Sequence, residues 1–525
     1  MSGDRPVGRT ALARAKLGRT WLLVPLLAAL CACILVLWST SNHGIGIAPD
    51  STVYLGAAEN LLSGRGLQDR GQPLTHFPPG YSLALALAGL AAGGDVFAAS
   101  RWLQALLFGA NVALIWAAVY AGTGGSRTAA GAAMLAFVLS AEAFDGHVWL
   151  VSEPLFLAWT LLTHILLAVY LVRQGRRWLV AASLAAGLAI TTRYIGAALL
   201  PPLLWILWKH DAKNRRLADM LMAVLIAGTP VTAWLVRNLF LSATATNRTL
   251  TLHPVTMAQV REFIHSSYWL ALPQLALPFP AQILLVATAT FLLLMLLLAW
   301  RRYGDADRPG SITALLPRLV LGFALTYAVF LIVSLSLFDA STNLSGRIVL
   351  PFFVALGVSG ISVAWNLSRG MRRPAIAWVL LLFLMPIVLR NGQVTARSAV
   401  ETRANGIGYS GRTWRSSPTL AATRSLAPTL RMYSNVAEGI EFATGRQTGF
   451  LPRRWDPTSL RPNRSLAVEL QEMCQQCAGG QAVVVYLYYV PGRWHQGTLQ
   501  ELLADCPLSF WGDFQDGAIL GAPAR

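Results

Sequence analysis

The chain has 525 residues, of which 55% are hydrophobic and only 13% are charged. Soluble globular proteins carry roughly 25% charged residues, so this composition excludes an ordinary soluble domain. The formal net charge of +18 would suit a nucleic-acid partner, but most Arg and Lys residues flank apolar runs, as they do in membrane proteins. We therefore expect membrane lipid around the chain and no nucleic-acid partner.

Apolar runs recur along the first three quarters of the chain, and many approach the roughly 20 residues that a helix needs to cross a hydrocarbon core. Residues 1–19 precede them and are basic. No small-residue cleavage site follows the first run, so we interpret it as an uncleaved span rather than a signal peptide. The predicted spans are 20–40, 97–121, 127–144, 154–172, 178–191, 195–208, 218–237, 281–300, 318–338, 348–366 and 374–390.

The positive charges predict the orientation of these eleven spans. With residues 1–19 in the cytoplasm, most Lys and Arg of the membrane part fall in that segment and in the inner loops, as the positive-inside rule requires. An odd number of spans then puts the C-terminal residues 391–525 outside the cytoplasm.

Residues 178–208, which have Arg193 at their centre, decide whether the number of spans is odd or even. A single span would hold that arginine at the bilayer midplane, at a cost of about 2.5–3.5 kcal/mol or more. Two short helices that meet at Arg193 avoid the cost and require a watery, protein-lined recess at the junction. We therefore predict a break at Arg193.

The first outer loop, residues 41–96, is long and partly apolar. Pro78–Leu90 is too short for a span and begins with two prolines. We predict that it forms, like Ser51–Leu62, a helix on or dipping into the outer interface.

Polar residues gather at the predicted outer ends of the spans. Each has a simple local explanation: Asp50 and Glu153 fit helix starts, Tyr81 fits a bilayer-edge anchor, and arginines can snorkel. Ionisable groups at membrane depth nevertheless favour a functional site, and acids beside several cations suit a phosphate-bearing ligand with a general base nearby. The candidate site residues are Asp50, Tyr54, His76, Tyr81, His147, Glu153, Arg193, Tyr194, Arg237 and Arg347.

Several short motifs follow one another on this outer side. They are Pro49-Asp50-Ser51 with Tyr54, Gly64-x-Gly66, Pro78-Pro79-Gly80-Tyr81, Ser152-Glu153-Pro154-Leu155-Phe156, Thr192-Arg193-Tyr194 and Arg237-Asn238. In their order and spacing, residues 20–390 resemble the GT-C superfamily of polyprenyl-phosphate-sugar-dependent glycosyltransferases. The resemblance is to the branch that holds protein O-mannosyltransferases and the aminoarabinose transferases of lipid A. It implies a mainly α fold, a polytopic helix bundle in a plasma (inner) membrane.

The resemblance also implies roles for individual residues. Asp50 matches a first-loop acid that acts as general base on the acceptor hydroxyl, and Glu153 matches an acid that helps to hold acceptor or sugar. Arg193 and Arg237 match cations near the lipid-linked phosphate, His76 stands where relatives can carry a basic residue, and Arg347 resembles a later outer-loop arginine. Tyr54, Tyr81, His147 and Tyr194 are assigned to substrate binding.

The resemblance further implies the reactants. The donor is a sugar on a polyprenyl phosphate, the acceptor is a lipid, glycan or protein outside the cytoplasm, and transfer proceeds with inversion. Relatives often carry paired acids in the first loop, whereas Ser51 follows Asp50 here. We therefore assign no metal ligand, although a divalent ion such as Mg²⁺ or Mn²⁺ remains compatible with the sequence.

Residues 391–525 are richer in Arg, Gly, Pro and Ser and predict a small α/β domain. We predict strands at Leu430–Asn435 and Gln481–Val490. Helices are expected at Val436–Thr444, before Gly445, and at Ser465–Cys477, before Gly479 and Gly480. If this domain is exported, Cys506 forms a disulfide with either Cys474 or Cys477.

Two other functions remain open from the sequence. A transporter or flippase of lipid-linked sugars would also have many spans, but such proteins often show internal repeats and a midplane site, and we find no repeat here. A catalytically inactive relative that assists assembly is the other possibility. The order of the motifs favours the glycosyltransferase.

Overall fold

The computed structural model describes residues 22–210, 213–242, 244–248, 250–303, 311–371, 374–490 and 493–523. The predicted cytoplasmic segment 1–19 lies outside the described residues. The architecture is a bundle of long helices followed by a small mixed-sheet domain, which confirms the predicted fold class.

The helices and short strands of the bundle follow the chain in a simple order. They are α1 Leu23–Ser39, α2 Pro49–Leu62, β1 Gln68–Asp69, β2 Gln72–Pro73, α3 Gly80–Ala91, α4 Val96–Gly122, α5 Arg127–Val138, α6 Ala141–Val148, α7 Glu153–Arg173, α8 Arg176–Thr192, α9 Leu200–His210, α10 Arg216–Ser242, α11 Met257–Ala271, α12 Phe279–Tyr303, α13 Ile312–Leu337, α14 Gly346–Gly370 and α15 Pro374–Asn405.

Helices occupy all eleven predicted spans, since each predicted range overlaps a helix of the bundle. Within the described residues, six helices are long and apolar enough to cross a membrane, and a seventh span results if the bent pair α5 and α6 is one span. That pair bends by 56° because the Ser140 hydroxyl caps a new helix, accepting a hydrogen bond from the Ala143 N–H. The two predicted interfacial segments are the helices α2 and α3.

The predicted break at Arg193 is confirmed. Helix α8 ends at Thr192, and Arg193 is extended, with φ −148° and ψ 130°. A 3₁₀ helix at Tyr194–Leu199 then leads directly into α9. The chain thus changes direction where the buried charge would otherwise sit inside a continuous apolar helix.

The break in α8 is packed closely by the second interfacial helix. Gly80, at the start of α3, lies so near the end of α8 that a Cβ there would stand 2.7 Å from the Thr191 carbonyl oxygen. Only glycine leaves room for this approach. The Pro78-Pro79-Gly80-Tyr81 motif therefore holds α3 against the segment that carries Arg193.

The C-terminal domain contains five helices and five strands among its described residues. They are α16 Arg412–Arg415, α17 Pro418–Arg424, β3 Arg431–Ser434, α18 Ala437–Thr444, β4 Thr448–Phe450, α19 Leu466–Ala478, β5 Ala482–Leu487, α20 Leu499–Asp505, β6 Ser509–Phe514 and β7 Gly517–Gly521. The sheet order is β4-β3-β5-β7-β6, with β3 parallel to β4 and β5 and the hairpin β6–β7 antiparallel.

The predicted strands and helices of this domain are confirmed as β3, α18, α19 and β5. The disulfide joins Cys474 to Cys506, which is one of the two predicted pairings, and Cys477 is a buried free thiol. The hairpin β6–β7 and the short strand β4 are additions that the sequence did not lead us to expect.

Hydrogen bonds and an ion pair attach the C-terminal domain to the first outer loop. The Tyr409 N–H donates to the Ile47 carbonyl at 2.9 Å, and the Ser410 hydroxyl donates to the Ile45 carbonyl at 2.7 Å. Arg70 in the loop forms an ion pair with Glu441 on α18 at 3.1 Å. Helix α15 runs through position 391, where we put the domain boundary.

Candidate active site

Asp50 lies in the first turn of α2, shortly after α1 ends. Pro49 begins the helix with its fixed backbone angle, and Ala48 is the residue before it. The Ser51 hydroxyl accepts from the Ala48 N–H at 2.9 Å and donates to the Leu150 carbonyl at 2.7 Å. This serine ties the first turn of α2 to the segment before α7, so Asp50 is held close to Glu153.

Arg347 joins the two acids of the candidate site. Its Nη2 donates to Asp50 Oδ2 at 2.9 Å, and its Nε lies 3.8 Å from Glu153 Oε1. Arg193 Nη1 contacts the same Glu153 oxygen at 2.8 Å. The four side chains form a continuous row of alternating negative and positive charge, and the row is formally neutral.

The Asp50 and Arg347 half of this row is more exposed than the Glu153 and Arg193 half. The Asp50 side chain is 38% exposed and that of Arg347 is 34% exposed, whereas Arg193 is 21% and Glu153 only 5% exposed. Asp50 is therefore the acid that an incoming molecule can reach. Its second oxygen, Oδ1, has no protein hydrogen-bond partner in the part of the chain that the structure describes.

Two tyrosines from the first outer loop pack beside Glu153 and Arg193. The Arg193 Nη1 donates to Ser152 Oγ at 3.0 Å, and that hydroxyl lies 3.3 Å from the Tyr54 hydroxyl. The Tyr54 ring meets Tyr81 edge-on, with 5.0 Å between the ring centroids. Burial raises the pKa of Tyr54 well above its usual range, so its hydroxyl stays protonated.

Polar residues of α4 fix the start of α7. Gln104 Nε2 donates to the carbonyls of Trp149 and Val151 and to the Tyr81 hydroxyl, at 2.8–3.0 Å. Asn111 Nδ2 donates to the Pro154 carbonyl at 3.0 Å. Both side chains are fully buried, and their hydrogen bonds hold the turn that presents Glu153.

His147 lies in the protein core beside the row of charges. Its Nδ1 is 2.6 Å from the Ala143 carbonyl, its Nε2 is 3.1 Å from Asn111 Nδ2, and its ring stacks on Phe108. Both ring nitrogens therefore have protein partners. The ring lines a small cavity that Glu153 and Arg347 also line.

His76 lies in a separate polar group near Arg248 and Asp339. Its Nε2 is 3.4 Å from Arg248 Nη2, and Arg248 pairs with Asp339 at 3.5 Å. Burial, followed by the charge of Arg248, lowers the pKa of His76 to about 4. At neutral pH it is a neutral hydrogen-bonding ring and not a cation.

Arg237 and Tyr194 pack with Trp234 against the first outer loop. Arg237 Nη1 donates to the Leu74 carbonyl at 2.8 Å, and its guanidinium stacks over Trp234. The Tyr194 hydroxyl accepts from the Trp234 indole N–H at 3.2 Å. These two residues hold the loop in place and, among the described residues, do not contact the row of charges.

Sequence reasoning missed several residues that complete the site. Gln104 and Asn111 are polar positions seven residues apart within a predicted span, so they share one helix face, and that signal was available. Tyr327 on α13 lies within electrostatic range of Arg193 and Glu153. It gave no signal, because a single tyrosine in an apolar run resembles any interface anchor.

The acids of the described segments do not gather as metal ligands. No group of three or more His, Cys, Asp or Glu side chains within them could hold a metal ion. Asp50 and Glu153 are instead joined by a guanidinium. The described residues do not fit a tightly held ion.

Comparison with known proteins finds similar folds but no similar sequences. No family model and no curated protein sequence matches the chain. The crystal structure of ArnT from Cupriavidus metallidurans bound to undecaprenyl phosphate aligns with a TM-score of 0.59 and 15% identity, covering 97% of this chain and 100% of that chain.

Two other solved structures are similar over most of this chain. The oligosaccharyltransferase of Archaeoglobus fulgidus, crystallised with zinc and sulfate, has a TM-score of 0.53 and 14% identity, covering 88% of this chain and 68% of that chain. The mycobacterial arabinofuranosyltransferase AftD has a TM-score of 0.54 and 15% identity, covering 97% of this chain and 40% of that chain. The chain therefore shares the fold of these proteins.

Proposed function

We propose that the chain is a glycosyltransferase that moves a sugar from a polyprenyl phosphate to an acceptor on the non-cytoplasmic side of a plasma membrane. The observation that carries this proposal is the row Asp50–Arg347–Glu153–Arg193 at the outer end of the bundle. The GT-C fold supports it, since ArnT, which shares that fold, was crystallised with undecaprenyl phosphate.

The two arginines supply what a phosphate leaving group needs. A guanidinium matches phosphate oxygens with parallel N–H donors, and its charge counts for more where water is scarce. Arg193 and Arg347 are each already paired with an acid. A phosphate that binds Arg347 competes with Asp50 for the same N–H groups, so donor binding frees the Asp50 carboxylate.

The freed Asp50 is the general base. It takes the proton of the acceptor hydroxyl as that oxygen attacks the anomeric carbon from the face opposite the phosphate. The bond between that carbon and the phosphate oxygen breaks, and the electron pair leaves with the polyprenyl phosphate. One displacement inverts the anomeric configuration. Glu153, which is buried and bonded to Arg193, fixes the arginines and helps to orient the sugar.

The membrane explains the location of the site. The polyprenyl tail enters laterally through lipid, while the acceptor, a lipid, glycan or protein, comes from outside the cytoplasm. Residues 1–19 are then cytoplasmic and the C-terminal domain is outside. No step needs a metal ion, because the leaving-group charge is stabilised by arginine.

The test is sugar transfer by the purified chain with an undecaprenyl-phosphate hexose as donor. We expect Asp50→Asn to lower turnover by about 10²–10⁴-fold, the usual contribution of a general base, with little change in donor binding. The matched control is Glu59→Gln, an exposed acid on the same helix. Full activity of Asp50→Asn would remove Asp50 from the mechanism.

The same donor also distinguishes a transferase from a transporter. In sealed vesicles, movement of the lipid-linked sugar across the bilayer without a covalent product would contradict the transferase and support a flippase. A cysteine-labelling experiment tests orientation, because a residue near position 450 is labelled from outside only if the C-terminal domain is outside.

A further inference from the structure

A second polar group lies in the C-terminal domain, where the parallel strands β3 and β5 end. Asn435 follows β3 and joins the two strands: its Nδ2 donates to the Leu487 carbonyl at 2.8 Å, and its Oδ1 accepts from the Leu487 N–H at 3.0 Å. Beyond this bridge α18 follows β3, and the described segments 488–490 and 493–498 come between β5 and α20.

The connections after β3 and β5 run in opposite directions. The chain passes from β3 through α18 to β4, on one side of the sheet order, and from β5 through α20 to β6, on the other. Neighbouring strands whose connections diverge leave a crevice at their carboxyl ends, and ligands of open α/β sheets bind in such crevices. We call the residues Glu438, Arg453, Arg493, His495 and Gln496 the strand-end cluster.

The strand-end cluster is built around one carboxylate. Glu438 Oε1 accepts hydrogen bonds from Arg493 and from the Tyr409 hydroxyl. Arg453 and Gln496 are joined by an antiparallel bridge, which brings the segment after β4 against the segment after β5. His495 lies within electrostatic range of Glu438 and both arginines.

Several polar atoms of this cluster are buried without a partner. Glu438 is 4% exposed, and His495 and Gln496 are each 7% exposed. Across the residues that the structure describes, Glu438 Oε2, His495 Nδ1 and both amide atoms of Gln496 lack a hydrogen-bond partner. Buried polar groups are nearly always satisfied, so these four atoms indicate a missing hydrogen-bonding ligand.

Arg453 in the strand-end cluster has no direct carboxylate partner within the described chain. Glu438 pairs with Arg493, whereas Asp456 and Glu469 lie only within electrostatic range of Arg453 and form no ion pair with it among the described residues. Burial, together with the neighbouring Arg493, lowers the pKa of Arg453. An anionic group on the ligand would give the Arg453 guanidinium a direct partner.

Two exposed tryptophans flank the cluster. Trp455 is 42% exposed and Trp494 is 55% exposed. The backbone N–H of Trp455 donates to the His495 carbonyl at 3.3 Å. A flat aromatic ring offers an apolar face with a polar edge, which suits the C–H face of a sugar ring.

We propose that the strand-end cluster binds an acidic saccharide. The Gln496 amide, the His495 ring and the free oxygen of Glu438 meet hydroxyl groups, which both donate and accept. Arg453 meets the carboxylate, and the tryptophans cover a sugar ring. This site is separate from the row of charges around Asp50 and does not depend on the proposed transfer reaction.

The binding test uses the whole chain in detergent with Asp50→Asn as background, so that no turnover contributes. The probes are trimers of glucuronic, galacturonic and mannuronic acid, with the neutral trimers of glucose, galactose and mannose alongside, in ligand-detected saturation-transfer NMR. We expect at least one acidic trimer to bind, and to bind more tightly than its neutral counterpart.

Matched variants locate the binding. Gln496→Leu should weaken it by about tenfold or more, because it removes buried hydrogen bonds to the ligand. Glu438→Gln should weaken it by about tenfold, because it replaces a charge-assisted hydrogen bond with a neutral one. Gln475→Leu and Glu472→Gln, on the exposed face of α19, should leave it unchanged. Unfolded variants are excluded by an unchanged cooperative melt.

Three results would overturn the proposal. They are the absence of binding by any acidic trimer at millimolar concentration, equal binding of acidic and neutral trimers, and undiminished binding by Gln496→Leu and Glu438→Gln. The last result would mean that buried water satisfies the unpaired atoms.

Discussion

The two polar groups of the chain differ in how their hydrogen bonds and charges are satisfied. In the bundle, Asp50 and Glu153 each contact an arginine, and the row of charges is neutral. In the C-terminal domain, Glu438, His495 and Gln496 keep buried polar atoms that have no partner among the described residues, and Arg453 forms no ion pair with a described acid.

This difference affects how much each region contributes to the stability of the fold and what a bound ligand must change there. Around Asp50 a ligand has to replace existing ion pairs, so binding rearranges the site and can release a base. In the strand-end cluster a ligand only adds hydrogen bonds, while its absence leaves a cost of about 1–3 kcal/mol for each unsatisfied group. Substitutions should therefore act in opposite directions on stability in the two regions.

The largest expected effect is on transfer activity, at the residue that joins both acids of the bundle. Arg347→Gln removes a cation from the leaving phosphate and leaves Asp50 without its partner, so we expect kcat/KM to fall by about 10²–10³-fold. Steady-state transfer from an undecaprenyl-phosphate hexose measures it. Arg369→Gln, on the opposite end of α14, is the control and should keep its activity.

If Arg347→Gln retained full activity, the row of charges would be a structural ion-pair network and not a catalytic site. The contrast with the strand-end cluster would then no longer hold. A rise in donor KM with unchanged kcat would instead limit Arg347 to donor binding.

The next effect is on stability and concerns the buried pair Arg193–Glu153. Arg193→Met leaves the carboxylate of Glu153, which is 5% exposed, with only the more distant contact to Arg347 at 3.8 Å. We expect a loss of about 3–5 kcal/mol in the free energy of unfolding. The double variant Arg193→Met/Glu153→Gln should recover much of it, because no unpaired charge remains. Titration with denaturing detergent measures both.

A surface pair gives the matched control for this prediction. Arg454 contacts Glu501 and Asp505, and all three side chains are more than a third exposed. Arg454→Met should cost no more than about 1 kcal/mol. Equal losses in the two arginine variants would show that the bundle pair behaves like a solvated one.

How far the sequence predicts this molecule depends on whether the signal is local. The break at Arg193 follows from a charge in an apolar run, and the helix before Gly445 ends where a left-handed residue is needed, at φ 69°. The hairpin β6–β7 was missed, because Ser509–Phe514 alternates weakly and its partner Gly517–Gly521 is buried along its whole length.

The candidate site was predicted less well than the fold, because side-chain direction is not local. Arg347 belongs to none of the quoted motifs and was included only for its resemblance to a later outer-loop arginine, yet it contacts both acids. His147 precedes Glu153 by six residues in the sequence, but its ring lies in the core, where its Nε2 has Asn111 as a hydrogen-bond partner. Arg237 shares a motif with Asn238, yet it binds the loop backbone. Their assignments to substrate binding stay predictions.

A smaller effect, of opposite sign, is expected in the strand-end cluster. Gln496→Leu removes an amide that is 7% exposed and has neither atom satisfied within the described chain. Without a saccharide, we expect this variant to gain about 1–2 kcal/mol in the free energy of unfolding. Gln475→Leu, an exposed amide on α19, should change stability by less than about 0.5 kcal/mol. A marked loss of stability in Gln496→Leu would mean that its amide is satisfied after all.

The smallest effect is a pH dependence that both regions share. Burial lowers the pKa of His76 and of His495 to about 4 each, from the usual value of 6.5. The unfolded chain takes up protons as the pH falls through 6.5, whereas the folded chain keeps both rings neutral until about 4. The stability that this neutrality contributes is therefore complete above pH 6.5 and declines steadily as the pH falls from 6.5 towards 4.

Thermal melts across this window should show a shallower decline for His76→Gln and for His495→Gln, and an unchanged one for His265→Gln, at an exposed position on α11. With an acidic saccharide bound, a neutral His495 is stabilised by a ligand hydroxyl, so the ligand should protect the C-terminal domain most near pH 7. A His495→Gln melt that is as steep as that of the unmodified chain would assign the whole slope to the bundle.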